Sequence, residues 1–113
     1  MAPHPRPLGD LEELVLLAVL RLGDEAYGAT IKEELESQAN RSVSISTVYV
    51  TLMRLEEKGL ARSWMGDPSG ERGGKAKRHF QVLPEGVEAL EASRAIRERM
   101  WARAAQGGEA HAG

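Results

Sequence analysis

The sequence contains no cysteine. Disulfide scaffolds, thiolate zinc sites and cysteine nucleophiles are excluded together. Aromatic residues make up only 4% of the 113 positions, so the core must be built from Leu, Val, Ile and Ala. Long apolar runs are also missing. The longest, Leu14 to Leu20, falls well short of the ~20 residues that a membrane-spanning helix needs. Asp10, Glu12 and Glu13 precede it, where a secretory signal would carry positive charge. Together these absences describe a small aliphatic domain, expected in the cytoplasm and with no membrane partner. A chain of this size makes a modest core, which favours an oligomer.

Catalytic patterns are scarce too. His4, His79 and His111 are scattered, and neither a nucleophile elbow nor a zinc-protease helix motif occurs. Ser69-Gly70-Glu71-Arg72-Gly73-Gly74-Lys75-Ala76 approaches a phosphate-binding loop. It has Ser69 where that loop needs glycine and Ala76 where it needs Ser or Thr, and a strand follows where a helix should. The expectation is a non-enzyme that needs no cofactor and no metal.

What the chain does have is uneven charge. The net charge is −2, but residues 1–40 carry three basic and eight acidic side chains. Residues 41–80 carry eight basic (Arg41, Arg54, Lys58, Arg62, Arg72, Lys75, Lys77, Arg78) and four acidic ones. A basic middle inside an acidic protein suits a reader of nucleic acid, because the local field matters more than the total.

The element order sharpens this reading. Residues 1–9, with Pro3, Pro5 and Pro7, read as a flexible arm. Asp10, with Glu13 three residues on, predicts the start of a helix that stops at Gly23 and is apolar nearly all round. A second helix is expected over Ala26–Ala39, with Tyr27, Ile31 and Leu35 inward and Gly28 allowing close packing. A third is expected over Ile45–Lys58, capped by Ser44 or Ser46 and closed by Gly59. Its inner face is read as Ile45, Val48, Leu52 and Leu55. Its outer face is read as Thr47, Val50 and Arg54, flanked by Ser46, Thr51, Met53 and Glu57, with Tyr49 on the boundary. Two strands, Leu60–Met65 and Arg78–Leu83, flank a glycine-rich turn and predict a hairpin with Trp64 packed beneath it. Pro84 opens a last helix to about Ala105, and 106–113 reads as a disordered tail.

Three helices and a hairpin are the order of a winged helix-turn-helix. The expected fold is mainly α with a small β-hairpin, residues 10–83 forming the DNA-binding domain and 84–105 a C-terminal dimerisation helix. The third helix carries short side chains that let its backbone approach the major groove. Ser46 and Thr47 can hydrogen-bond to phosphates or base edges, Val50 can touch a thymine methyl, and Arg54 can reach a guanine or a phosphate. The glycine-spaced cations Arg72, Lys75, Lys77 and Arg78 can follow and neutralise a phosphate backbone. The alternative is a winged-helix adaptor that binds protein and not DNA.

These stretches carry a resemblance. Leu14–Gly23 (LVLLAVLRLG), Ala26–Leu35 (AYGATIKEEL), Ser46–Leu60 (STVYVTLMRLEEKGL) and Lys77–Leu90 (KRHFQVLPEGVEAL) resemble the PadR-type regulators of the short subfamily, which has a single C-terminal helix. The resemblance implies a dimeric winged-helix regulator of double-stranded DNA, usually a repressor, whose C-terminal helices pair. The chain departs from that pattern at Ser46 (often Gly), Val50 (often Pro), His79-Phe80 (commonly a tyrosine pair) and Pro84 (commonly Thr).

In the last helix, Val87, Leu90, Ile96 and Met100 follow helical spacing beside Trp101. With Leu14 of the first helix they form the expected homodimer interface, matched to a pseudo-palindromic operator. Trp101 has two readings: a packing anchor, or a lining residue for a small hydrophobic effector.

Overall fold

A computed structural model describes residues 8–66 and 76–111, with side chains through Ala105. Among the described residues the chain forms four α-helices and one hairpin: α1 (Asp10–Leu22), α2 (Gly28–Ala39), α3 (Ile45–Glu57), β1 (Ala61–Met65), β2 (Arg78–Val82) and α4 (Pro84–His111). A single 3-10 turn, Gly23–Glu25, joins α1 to α2. This is the winged helix-turn-helix that the element order implies. Arg72 and Lys75, residues 1–7 of the arm and residues 112–113 of the tail lie outside the described residues. The last helix continues past Ala105 to His111, across residues expected to be a disordered tail. Ala102, Ala104, Ala105 and Gln106 favour helix strongly enough to carry it into the Gly107-Gly108 pair.

Helix α1 is central, as its all-round apolar surface requires. Val15, Leu16, Ala18 and Val19 are buried, and the helix packs against α2, α3, β2 and α4. Its cap differs from the sequence expectation by one residue. Gly9 is the N-cap, and its N–H donates to Glu12 Oε1 at 2.8 Å. Asp10 instead pairs with Arg41 at 2.6 Å, and Glu13 faces α4. Helix α2 starts at Gly28, two residues later than expected, because Ala26 and Tyr27 are extended. There Ala26 O accepts from Phe80 N at 2.9 Å, and Tyr27 bridges His79, so this segment lies along the outer edge of the hairpin.

The hairpin is antiparallel, with Ala61 opposite Val82 and Met65 opposite Arg78. Phe80 points into the core and is fully buried. Trp64 does not pack beneath the hairpin. It lies half-exposed on the outer face and stacks on His79, because that face has no helix above it. Helix α4 then begins hard against Leu60, the residue before β1. A Cβ on Gly86 would sit 2.3 Å from Leu60 O, so only glycine permits this approach. Among the described residues no helix is long and apolar enough to cross a membrane.

Candidate nucleic-acid interface

Helix α3 is fixed from within by Val48, Leu52 and Leu55, all fully buried. Ser44 caps it, accepting from Thr47 N at 3.1 Å, which leaves Ser46 free of that duty. Two positions depart from the expected faces. Ile45, expected inward, is 40% exposed, because the first helical residue overhangs the end of the core. Thr51, expected on the outer flank, is only 5% exposed. Its hydroxyl donates to Thr47 O at 2.8 Å, so burial leaves no polar atom unpaired.

These two changes rotate the outward face. At ~100° per residue its centre falls on Ser46, Val50, Met53 and Glu57, all exposed. Val50 is 51% and Met53 55% exposed. Thr47 and Arg54 move to the flank facing α1, where Arg54 lies beside Glu12, Glu57 and Lys58. Sequence periodicity puts Arg54 at the centre of the outward face and Met53 on its flank, and the structure exchanges the two. Burial is the signal that separates them, and periodicity alone cannot supply it.

Tyr49 occupies the opposite flank. Its ring lies 6.3 Å from that of Phe80. Its hydroxyl rests on the α2 backbone, where a Cβ on Gly28 would come within 2.6 Å of Tyr49 Oη. Close helix packing is thus the role Gly28 plays. Tyr27, Gly28, Tyr49, Met65, Lys77 and Arg78 line one cleft of about 480 Å³ between α2, α3 and the base of the wing. Lys77 and Arg78 are both exposed. The Lys77 ammonium lies 4.2 Å above the Tyr27 ring. Arg78 donates to Ser63 Oγ at 3.0 Å, and Ser63 donates in turn to the Glu56 carboxylate at 2.9 Å. On the outer face Arg62 lies 4.6 Å above the Trp64 ring, Trp64 stacks on His79, and His79 meets Tyr27 edge-on. The run from Arg62 to Lys77 thus ties the wing to the start of α2, a clasp that no short motif in the sequence announces.

Beneath this face α1 and α3 are clamped. Lys58 donates to Glu12 at 2.8 Å. Burial alone would raise the Glu12 carboxyl, but Lys58, the Gly9 N–H and the charge of Arg54 outweigh it and hold it below its ordinary value.

The residues expected at a subunit interface divide into two groups. Leu14 is half-buried against the core, Val87 is half-buried, and Leu90 is buried against its own subunit at 7% exposure. Ile96, Met100 and Trp101 are 52%, 67% and 73% exposed. Leu17, Leu20, Val87, Leu90 and Trp101 line a groove of about 310 Å³ between α1 and α4. Glu13 closes one side of it, accepting from Ser93 Oγ at 2.8 Å and pairing with Arg97 at 3.1 Å.

Known structures share this fold. A PadR-like regulator from Bacillus cereus is 20% identical, with a TM-score of 0.68 over 85% of this chain and 88% of that one. A PadR family regulator from Eggerthella lenta is 25% identical, with a TM-score of 0.63 over 86% and 84%. Bacillus subtilis PadR, solved in complex with operator DNA, is 19% identical, with a TM-score of 0.60 over 73% of this chain and 45% of that longer one. No match was found among curated proteins. The sequence model of the PadR-like transcriptional regulators matches residues 16–92, from α1 into α4. The match spans the core, the outward helix and the wing, and the chain belongs to the PadR-like family of transcriptional regulators.

Proposed function

We propose that the chain binds double-stranded DNA as a homodimer and acts as a repressor at a pseudo-palindromic operator. The observation that carries this reading is the cleft shared by α3 and the wing base, where Tyr49, Lys77 and Arg78 adjoin the outward stripe of Ser46, Val50 and Met53. Short side chains at the centre let the helix backbone approach base edges, and cations at the edge neutralise phosphate. Thr47 and Arg54, on the α1 flank, suit phosphate better than base contacts. The operator complex of Bacillus subtilis PadR supports the same use of this fold. The bare apolar side chains of α4 and the adjoining groove suit a second copy, whose reading helix would meet the other half-site.

Titration of duplex DNA at increasing salt tests the proposal. The logarithm of affinity should fall linearly with the logarithm of salt concentration. Lys77→Ala should weaken binding to all sequences alike and flatten that slope by about 0.9, the effect of one lost phosphate contact. Folded protein that binds no duplex at low ionic strength, or binds without salt dependence, overturns the reading in favour of an adaptor.

A further inference from the structure

The outward stripe of α3 is unusual for a surface meant to meet a polyanion. Its two central side chains, Val50 and Met53, are apolar and about half exposed, and neither is needed by the core. The hydroxyl that might have served there, on Thr51, is buried and bonded to Thr47 O. Tyr49 packs on the Gly28 backbone, and Arg54 lies toward the α1 flank. The centre of the outward face therefore presents the hydrocarbon of Val50 and Met53, between the Ser46 hydroxyl and the Glu57 carboxylate.

In the major groove the one apolar group on a base edge is the C5 methyl of thymine. Resting on the DNA-binding reading above, we propose that Val50 and Met53 read thymine methyl groups, so that the operator half-site is specified chiefly by two thymines. Helical rise sets their spacing. Three residues advance ~4.5 Å along α3, between one and two base-pair steps of ~3.4 Å. The two methyls then lie on adjacent or next-but-one base pairs. Val50 is stiff and fixes one position narrowly, whereas Met53 is flexible and tolerates a methyl on either strand. The basic middle of the chain, with Lys77 and Arg78 at the cleft, selects duplex DNA as the occupant over an apolar protein surface, which would gain nothing from those charges.

The experiment uses the full chain. Duplexes are selected from a random pool at low ionic strength, and each thymine of the selected site is then replaced by deoxyuridine, which removes only the methyl. Loss of a buried methyl weakens affinity by about fourfold. The expected result is a loss of that size at two thymines per half-site. Val50→Ala should abolish the thymine-over-uracil preference at one of them and Met53→Ala at the other, with the salt slope unchanged. Replacing the same thymine–adenine pair by a 5-methylcytosine–guanine pair should bind more tightly than unmodified cytosine–guanine there. A selected site that ignores every deoxyuridine replacement overturns methyl reading while leaving DNA binding intact. A preference that survives both substitutions overturns the assignment to these residues. Failure to select any duplex overturns the underlying reading as well.

Discussion

The two halves of α4 share a helix but not an environment. From Pro84 to Ser93 the helix is welded to its own subunit: Gly86 abuts Leu60 O, Leu90 is buried, and Ser93 reaches Glu13 on α1. From Arg94 to Ala105 every residue is exposed, including Ile96, Met100 and Trp101. One apolar stripe thus serves two ends. Its first part completes a core, and its second part stands exposed.

The largest test of that contrast is Leu90→Asp. A carboxylate forced beside Leu17, Leu20 and Val87 has no partner, and about 3 kcal/mol or more of stability should vanish. Loss of the cooperative unfolding transition in circular dichroism would show it; a normal transition would mean that Leu90 does not belong to the core. Ile96→Asp with Met100→Asp should behave differently. Each subunit should keep its helical spectrum, while the dissociation constant of the proposed dimer should rise by about a hundredfold or more, since two apolar side chains per subunit would lose their cover. Light scattering that reports an unchanged mass at micromolar concentration would remove the distal half from the interface.

A smaller effect separates α1's hold on α4 from its hold on α3. The Glu12–Lys58 clamp should contribute about 1 kcal/mol. The folded Glu12 carboxyl lies below its ordinary value, so this contribution is complete above the ordinary carboxylate range and is lost as pH falls through the lowered folded value. Urea unfolding of the parent and of Lys58→Ala should differ near neutral pH and converge in acid. A difference that persists in acid would mean that the clamp is packing and not charge.

Much of this was legible beforehand. The helices, the hairpin and the family signature announce themselves through apolar spacing and turn residues, because those patterns are local. The misplaced details are those that depend on where the core ends. Periodicity puts Leu90 and Ile96 in one stripe, yet at ~100° per residue Ile96 is turned ~120° from Leu90, away from the side of α4 that lines the α1 groove. Thr51 reads as outward because it is polar, but its hydroxyl satisfies itself on the preceding turn and the side chain can then be buried. Ile45 reads as inward because it is apolar, but it stands at the edge of the packed layer. Those two misreadings together turn the outward face away from Arg54 and toward Met53. Trp64 and His79 sit on facing strands, and their stacking depends on register that neither strand reveals alone.

Helix α4 leaves the hairpin without a hinge. Leu83 N donates to Leu60 O at 2.9 Å, and Val87 N already donates to Leu83 O at 3.1 Å. In the proposed pair of subunits such a rod would act as a fixed strut between wings. Its tilt would set the distance from one half-site to the other, so changes at residues 84–93 would alter the preferred spacer length and leave the letters at either end untouched.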